Sequence, residues 1–162
     1  MNAVLGVVLV LLVAAAVFVL VQRPGGDPGS AAAESLSHEY AAVTAAARRE
    51  TAAFLTVDYK NMEPTVRTVL AGATGQFKKE YQKAEVNLRA AAHQSKATST
   101  GKVRAVGIGD IDSDSAIVYV AADSTVSNES TGHKKEPRYY RFQLNMTLVK
   151  GKWLTSDLHF VS

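Results

Sequence analysis

Hydrophobic and polar positions follow three different patterns along the chain, and each predicts a different kind of element. From Ala3 to Val21 no charged or polar residue interrupts 19 consecutive positions. A helix of that length rises about 28 Å, close to the ~30 Å hydrocarbon core of a bilayer. Soluble core helices do not stay apolar on every face for so long, so residues 1–22 are expected to form an uncleaved transmembrane anchor. A cleaved secretory signal fits less well, because nothing basic precedes the run and it exceeds the usual span of about 7–15 residues. The plausible Ala-x-Ala site, Ala31 to Ala33, also lies far beyond its end.

Gln22 to Ser30 reads QRPGGDPGS, a Pro/Gly-rich stretch that cannot continue a helix; residues 23–33 are expected to be a linker. The apolar period then becomes 3.6. Between Ala31 and Asp58, the residues Leu36, Tyr40, Val43, Ala47 and Phe54 recur at helical spacing, with Glu39, Arg48, Arg49 and Glu50 on other faces. Asn61 is suited to cap a short helix over Met62–Ala71, with Pro64 in its first turn and Gly72 as its stop. A third helix is predicted over Thr74–Lys96. Its apolar stripe is Phe77, Tyr81, Ala84, Leu88 and Ala91 or Ala92, and Lys78, Lys79, Lys83 and Arg89 populate the solvated side.

After Thr100 the period falls to 2. Strands are expected over Lys102–Gly109, Ala116–Ser127, Arg138–Val149 and Trp153–Val161. The third shows the clearest alternation, with Tyr140, Phe142, Leu144, Met146 and Leu148 on one face. The last places Leu154, Leu158 and Phe160 together. Asp110–Ser115 and Lys150-Gly151 supply turns, and Ser127–Pro137 reads as a long, mobile polar loop. Helices followed by consecutive strands predict an α+β fold. The expected architecture is a transmembrane helix, then about three helices packed on a curved four-stranded antiparallel sheet, cystatin-like or cone-like, over residues 34–162.

Composition narrows the function. The chain has 162 residues, a net charge of +3 and no cysteine, which excludes a disulfide-stapled scaffold and any cysteine-based metal or redox site. Basic residues concentrate in Asp58–Arg104, but the aromatic residues fall at core-facing positions rather than beside them, so nucleic acid is rejected as a partner. His38, His93, His133 and His159 show no metal-ligand spacing. Asp110-Ile111-Asp112-Ser113-Asp114 begins like a calcium loop, yet Ser115 and Ala121 stand where glycine and glutamate are needed. Two glycosylation sequons, at Asn128 and Asn145, match a pattern common by chance. A concave sheet face under helices can enclose a pocket, and Asp58, Tyr59 and Asp157 are the candidates to line it. No catalytic residue, metal ligand or cofactor site is assigned, and a non-enzymatic role is expected.

Several stretches carry a resemblance: the apolar N-terminus, Phe54-Leu55-Thr56-Val57-Asp58-Tyr59, Thr74-Gly75-Gln76-Phe77-Lys78-Lys79-Glu80-Tyr81, and Gly151-Lys152-Trp153-Leu154-Thr155-Ser156-Asp157-Leu158. Together they resemble the Mce-associated membrane protein family, with a domain like the ketosteroid-isomerase and nuclear-transport-factor cones. The family-motif residues here are Asp58, Tyr59, Phe77, Tyr81, Trp153 and Asp157. The resemblance implies a single-pass inner-membrane protein with its cone-like domain in the periplasmic space. Arg23, the sole flanking cation, weakly favours the opposite orientation. The implied role is a non-catalytic accessory subunit of an Mce-type lipid-import transporter, in contact with the bilayer, the permease and the substrate-binding subunits. Gly6, Ala14, Ala15 and Ala16 are small enough for close packing against permease helices, and equally suited to face lipid. Three alternatives stay open: a tethered domain binding a hydrophobic ligand, a secretion-system scaffold subunit, and a tethered enzyme relying on Asp58 or Asp157.

Overall fold

The computed structural model describes residues 28–161. The expected anchor over residues 1–22, with Gly6 and Ala14 to Ala16, lies outside the described residues. Among the described residues no helix is long and apolar enough to cross a membrane, so the transmembrane helix of the expected architecture is not part of the fold described. The chain divides into two compact units, residues 1–37 and 38–162; the packing below is that of the second.

Helix α1 spans Pro28–Phe54. Proline suits a first helical turn because its missing N–H is unpaired there anyway, and the helix therefore begins earlier than Ala31. It ends four residues before the expected Asp58. Leu55 N–H donates to Thr51 O at 3.1 Å and Thr56 N–H to Ala53 O at 3.0 Å, which tightens the last turn. The chain released there forms a two-residue strand β1, Val57–Asp58, pairing antiparallel with Ser99 and Thr98. The sheet thus has five strands rather than four. Two residues are too few to show an alternation, so the helical period reads straight through them.

Helix α2 spans Glu63–Gly72, with Met62 rather than Asn61 at its cap position and no side-chain capping bond. Helix α3 spans Gly75–Gln94. Strands β2 (Thr98–Ile111), β3 (Ser115–Ser127), β4 (Glu136–Val149) and β5 (Lys152–Phe160) follow. The five strands run antiparallel in sequence order. Register shifts in the β2–β3 and β4–β5 pairings bend the strands locally. Lys150 and Gly151 both have positive φ, as a two-residue primed hairpin turn requires. In place of the expected mobile loop, residues 128–135 fold on Thr131. Its hydroxyl donates to Lys134 O at 2.8 Å and accepts from Asn128 N–H at 3.1 Å.

The main core lies between α1 and the sheet. Val43, Ala46 and Ala47 of α1 face Val118, Val120 and Ala122 of β3 and Phe142, Leu144 and Met146 of β4. Each large side chain buried there contributes about 1.5–3 kcal/mol. Tyr40 and Leu88, expected on the buried stripes, are exposed. On β5 the inward residues are Trp153 and Thr155, not Leu154. The register shift beside Asn145 and Met146 then changes the phase, and Leu158 packs against the core.

A second cluster, Val66, Val69, Ala73, Phe77 and Tyr81, joins α2 to α3. The two meet at the edge of β5, where Thr74 N–H donates to Thr155 O at 2.8 Å beside a parallel bridge between Ala73 and Thr155. This covers part of an otherwise open sheet edge.

Candidate functional site

Three of the four stretches that carried the resemblance, those within the described residues, meet in space, and their contacts are packing contacts. Phe54 lies 5.9 Å from Phe77, 6.5 Å from Tyr81 and 6.1 Å from Phe142, measured between ring centroids. Such pairs are worth about 0.5–1.5 kcal/mol each beyond the area they bury. Gly75, at positive φ, lies against Ser156; an added Cβ would sit 3.1 Å from the Ser156 carbonyl oxygen.

The expected acid–base candidates are not brought together at a cavity. Asp58 is exposed and accepts the Lys60 N–H at 3.0 Å, a local turn bond. Tyr59 packs edge-on against His93 at 6.2 Å. Asp157 accepts the Leu158 N–H at 2.9 Å and lies 2.9 Å from His159 Nε2. The concave face where a cone pocket was expected is filled by Val43, Ala47, Phe142, Leu144 and Met146, all at 2% exposure or less. No group of three or more potential metal ligands occurs among the described residues.

The site with chemical character lies elsewhere. Ala42, Ala45, Ala46, Arg49 and Glu50 occupy one face of α1, spaced three and four residues apart. Arg67, Thr68, Ala71 and Gly72 of α2 form the opposite wall, and Gly151 to Leu154 close the end. Together they enclose a half-open cleft of about 530 Å³, within the size range of small-ligand sites.

Glu50 lies in this cleft at 3% exposure. Its Oε1 is buried with no hydrogen-bond partner among the described residues. Burial disfavours the charged form and pushes the carboxyl up to about 8, so Glu50 is largely a neutral acid at pH 7, able to donate an O–H. Gly72 makes room for it: a Cβ on Gly72 would overlap Glu50 Oε2. Tyr81 on α3 is raised by burial first, then by the charge of Glu50 when ionised. Arg49, Arg67 and Lys152 line the cleft, are exposed, and form no ion pair among the described residues.

Sequence reasoning placed Glu50 on a polar face of α1. The signal that finds it is spacing: Glu50 stands seven residues after Val43, four after Ala46 and three after Ala47, all buried. That puts it in the middle of the apolar stripe. An unpartnered buried polar group costs about 1–3 kcal/mol, and a carboxyl shifted by burial in a cleft marks a candidate functional position.

Known proteins share this architecture. The "IcmL-like type IV secretion system protein" of Legionella pneumophila superposes with a TM-score of 0.61 at 14% identity, covering 75% of this chain and 91% of that one. The periplasmic domain of DotI gives 0.60 at 16% identity, covering 75% and 94%. A ketosteroid isomerase-like protein of Erwinia carotovora gives 0.51 at 18% identity, covering 76% and 97%. These likenesses establish the cone-like fold. In sequence, the chain is 31% identical over 121 residues to the "Uncharacterized protein Rv1363c" of Mycobacterium tuberculosis. The match takes in 75% of this chain and 46% of that protein, so the chain spans about half the length of its curated relative. The family described as "Uncharacterized protein Rv1363c/MT1408-like" matches residues 3–162, and the chain belongs to it.

Proposed function

We propose that this domain is a non-catalytic scaffold that works by binding other proteins of a multi-protein envelope assembly. The observation that carries the reading is the filled concave face. In this fold a ligand or substrate cavity would sit between the sheet and α1, and here that space holds Val43, Ala47, Phe142, Leu144 and Met146. What remains for function is the outer surface and the cleft beside Glu50.

Between the two assemblies considered, a secretion-type scaffold is the favoured reading, because the IcmL-like secretion protein shares the fold over most of both chains. An accessory role in an Mce-type lipid-import transporter, touching permease and substrate-binding subunits, rests on the sequence stretches alone. Those stretches serve packing in this fold, which weakens them as marks of one particular transporter. Residence outside the cytoplasm accompanies either reading. It is supported by the periplasmic origin of the DotI domain and by the apolar run from Ala3 to Val21.

The test is affinity purification of the full chain, expressed at its native level and extracted in mild detergent. A stoichiometric set of membrane-complex proteins is expected to come with it. Recovery as a lone monomer would overturn the proposal.

A further inference from the structure

We infer that the cleft between α1, α2 and the β4–β5 turn is a docking site for a carboxylate-rich peptide segment of a partner protein. This rests on the scaffold reading and names the chemistry of the contact. Three cationic side chains from three different elements, Arg49 of α1, Arg67 of α2 and Lys152 of β5, line one cleft without ion-pair partners among the described residues. Arginine and lysine in such a setting are the groups that recognise carboxylates, arginine through a two-pronged hydrogen bond.

Beside them lies Glu50, buried at 3% exposure, its Oε1 without a hydrogen-bond partner among the described residues. In the ionised form its charge under the cleft wall opposes an incoming carboxylate, and in the protonated form that opposition is gone. The walls between these groups are Ala42, Ala45, Ala46 and Ala71, with Trp153 and Leu154 at the end. They offer short apolar contacts suited to peptide methylenes. An anionic lipid headgroup brings the same charge, but its acyl chains stay in the bilayer and it offers no methylenes to these apolar walls. An acidic protein segment offers both.

Proton linkage makes the proposal specific. The titratable and charged groups on the elements around Glu50 are Arg49, Arg67, Lys152 and, on α3, Tyr81 with Glu85 and Arg89 near it. Between pH 6 and pH 9 free glutamate side chains, such as those of an acidic peptide, stay ionised. Glu50 is the cleft group that changes state in that interval.

The experiment measures binding of rhodamine-labelled hexaglutamate to the full chain by fluorescence anisotropy at pH 6 and pH 9. Roughly tenfold weaker binding is expected at pH 9, with Glu50→Gln holding the tighter affinity at both values. The pair Arg67→Ala and Lys152→Ala is expected to weaken binding about tenfold while circular dichroism shows an intact fold. Three results would overturn the inference: no binding of hexaglutamate, binding indifferent to the Arg67 and Lys152 changes, or binding of phosphatidylglycerol vesicles or inorganic phosphate in its place. If the Arg67→Ala/Lys152→Ala chain still co-purifies with its complex as the parent does, the cleft is not the contact and the scaffold reading survives. If the parent chain has no complex at all, the scaffold reading fails instead.

Discussion

Glu50 and Gly72 occupy each other's space: the carboxyl of the one fills the volume that a side chain on the other would need. Gly72 is the last residue of α2 and is absent from the glycines at positive φ, so its lack of a side chain serves close approach rather than an unusual backbone. Gly72→Ala is expected to force either α2 or the Glu50 carboxyl to move, at about 1–3 kcal/mol by analogy with overpacked cores. Urea denaturation measures the loss. Because both residues contest one volume, the double change Gly72→Ala/Glu50→Ala should lose markedly less than the two single changes summed.

The protonation of Glu50 makes stability depend on pH in a stated direction. Below about 4.5 the carboxyl is neutral in both folded and unfolded chains, so this contribution to stability is fully present. Above that value the unfolded chain releases its proton, whereas the folded chain holds it up to about 8. Stability is therefore expected to fall from pH 5 to pH 8, by as much as ~1.4 kcal/mol per pH unit from this group. Glu50→Gln removes that component, giving a flatter melting profile and a higher Tm than the parent at pH 8. A parent chain whose Tm rises across the interval, with Glu50→Gln following the same curve, would show the carboxyl to be ionised in the fold.

The motif residues divide by role. Phe54 meets three aromatic rings, and Phe54→Ala is expected to cost about 3 kcal/mol, the lower end for a large aromatic because the ring is only partly buried. Asp58→Ala removes one exposed turn bond and should cost no more than about 1 kcal/mol. Equal losses at the two positions in chemical denaturation would contradict this division.

This division also explains what the sequence discloses. The period-2 alternation of β3 and β4 and the Lys150-Gly151 turn are legible because each rests on local chemistry repeated over several residues. Strand β1 is not legible, since Val57 and Asp58 become a strand only through pairing with Thr98 and Ser99, some forty residues away. The β5 face misleads because the register shift beside Asn145 and Met146 breaks its alternation. Glu50 is hidden for another reason. Charged residues are assigned to water by default, and only the spacing to Val43, Ala46 and Ala47 points inward. Asp58 and Asp157 attract attention as carboxylates in distinctive stretches, yet those stretches are joined by Phe54, Phe77, Tyr81 and Thr155.

The most direct test of the scaffold account is photo-crosslinking in living cells, with a photoreactive residue at position 68, exposed in the cleft, and another at position 86, exposed on α3. A discrete adduct to a second protein at position 68, absent or weaker at position 86, is the predicted result. Chains that stay uncrosslinked at both positions, and that run as monomers after extraction, would contradict it.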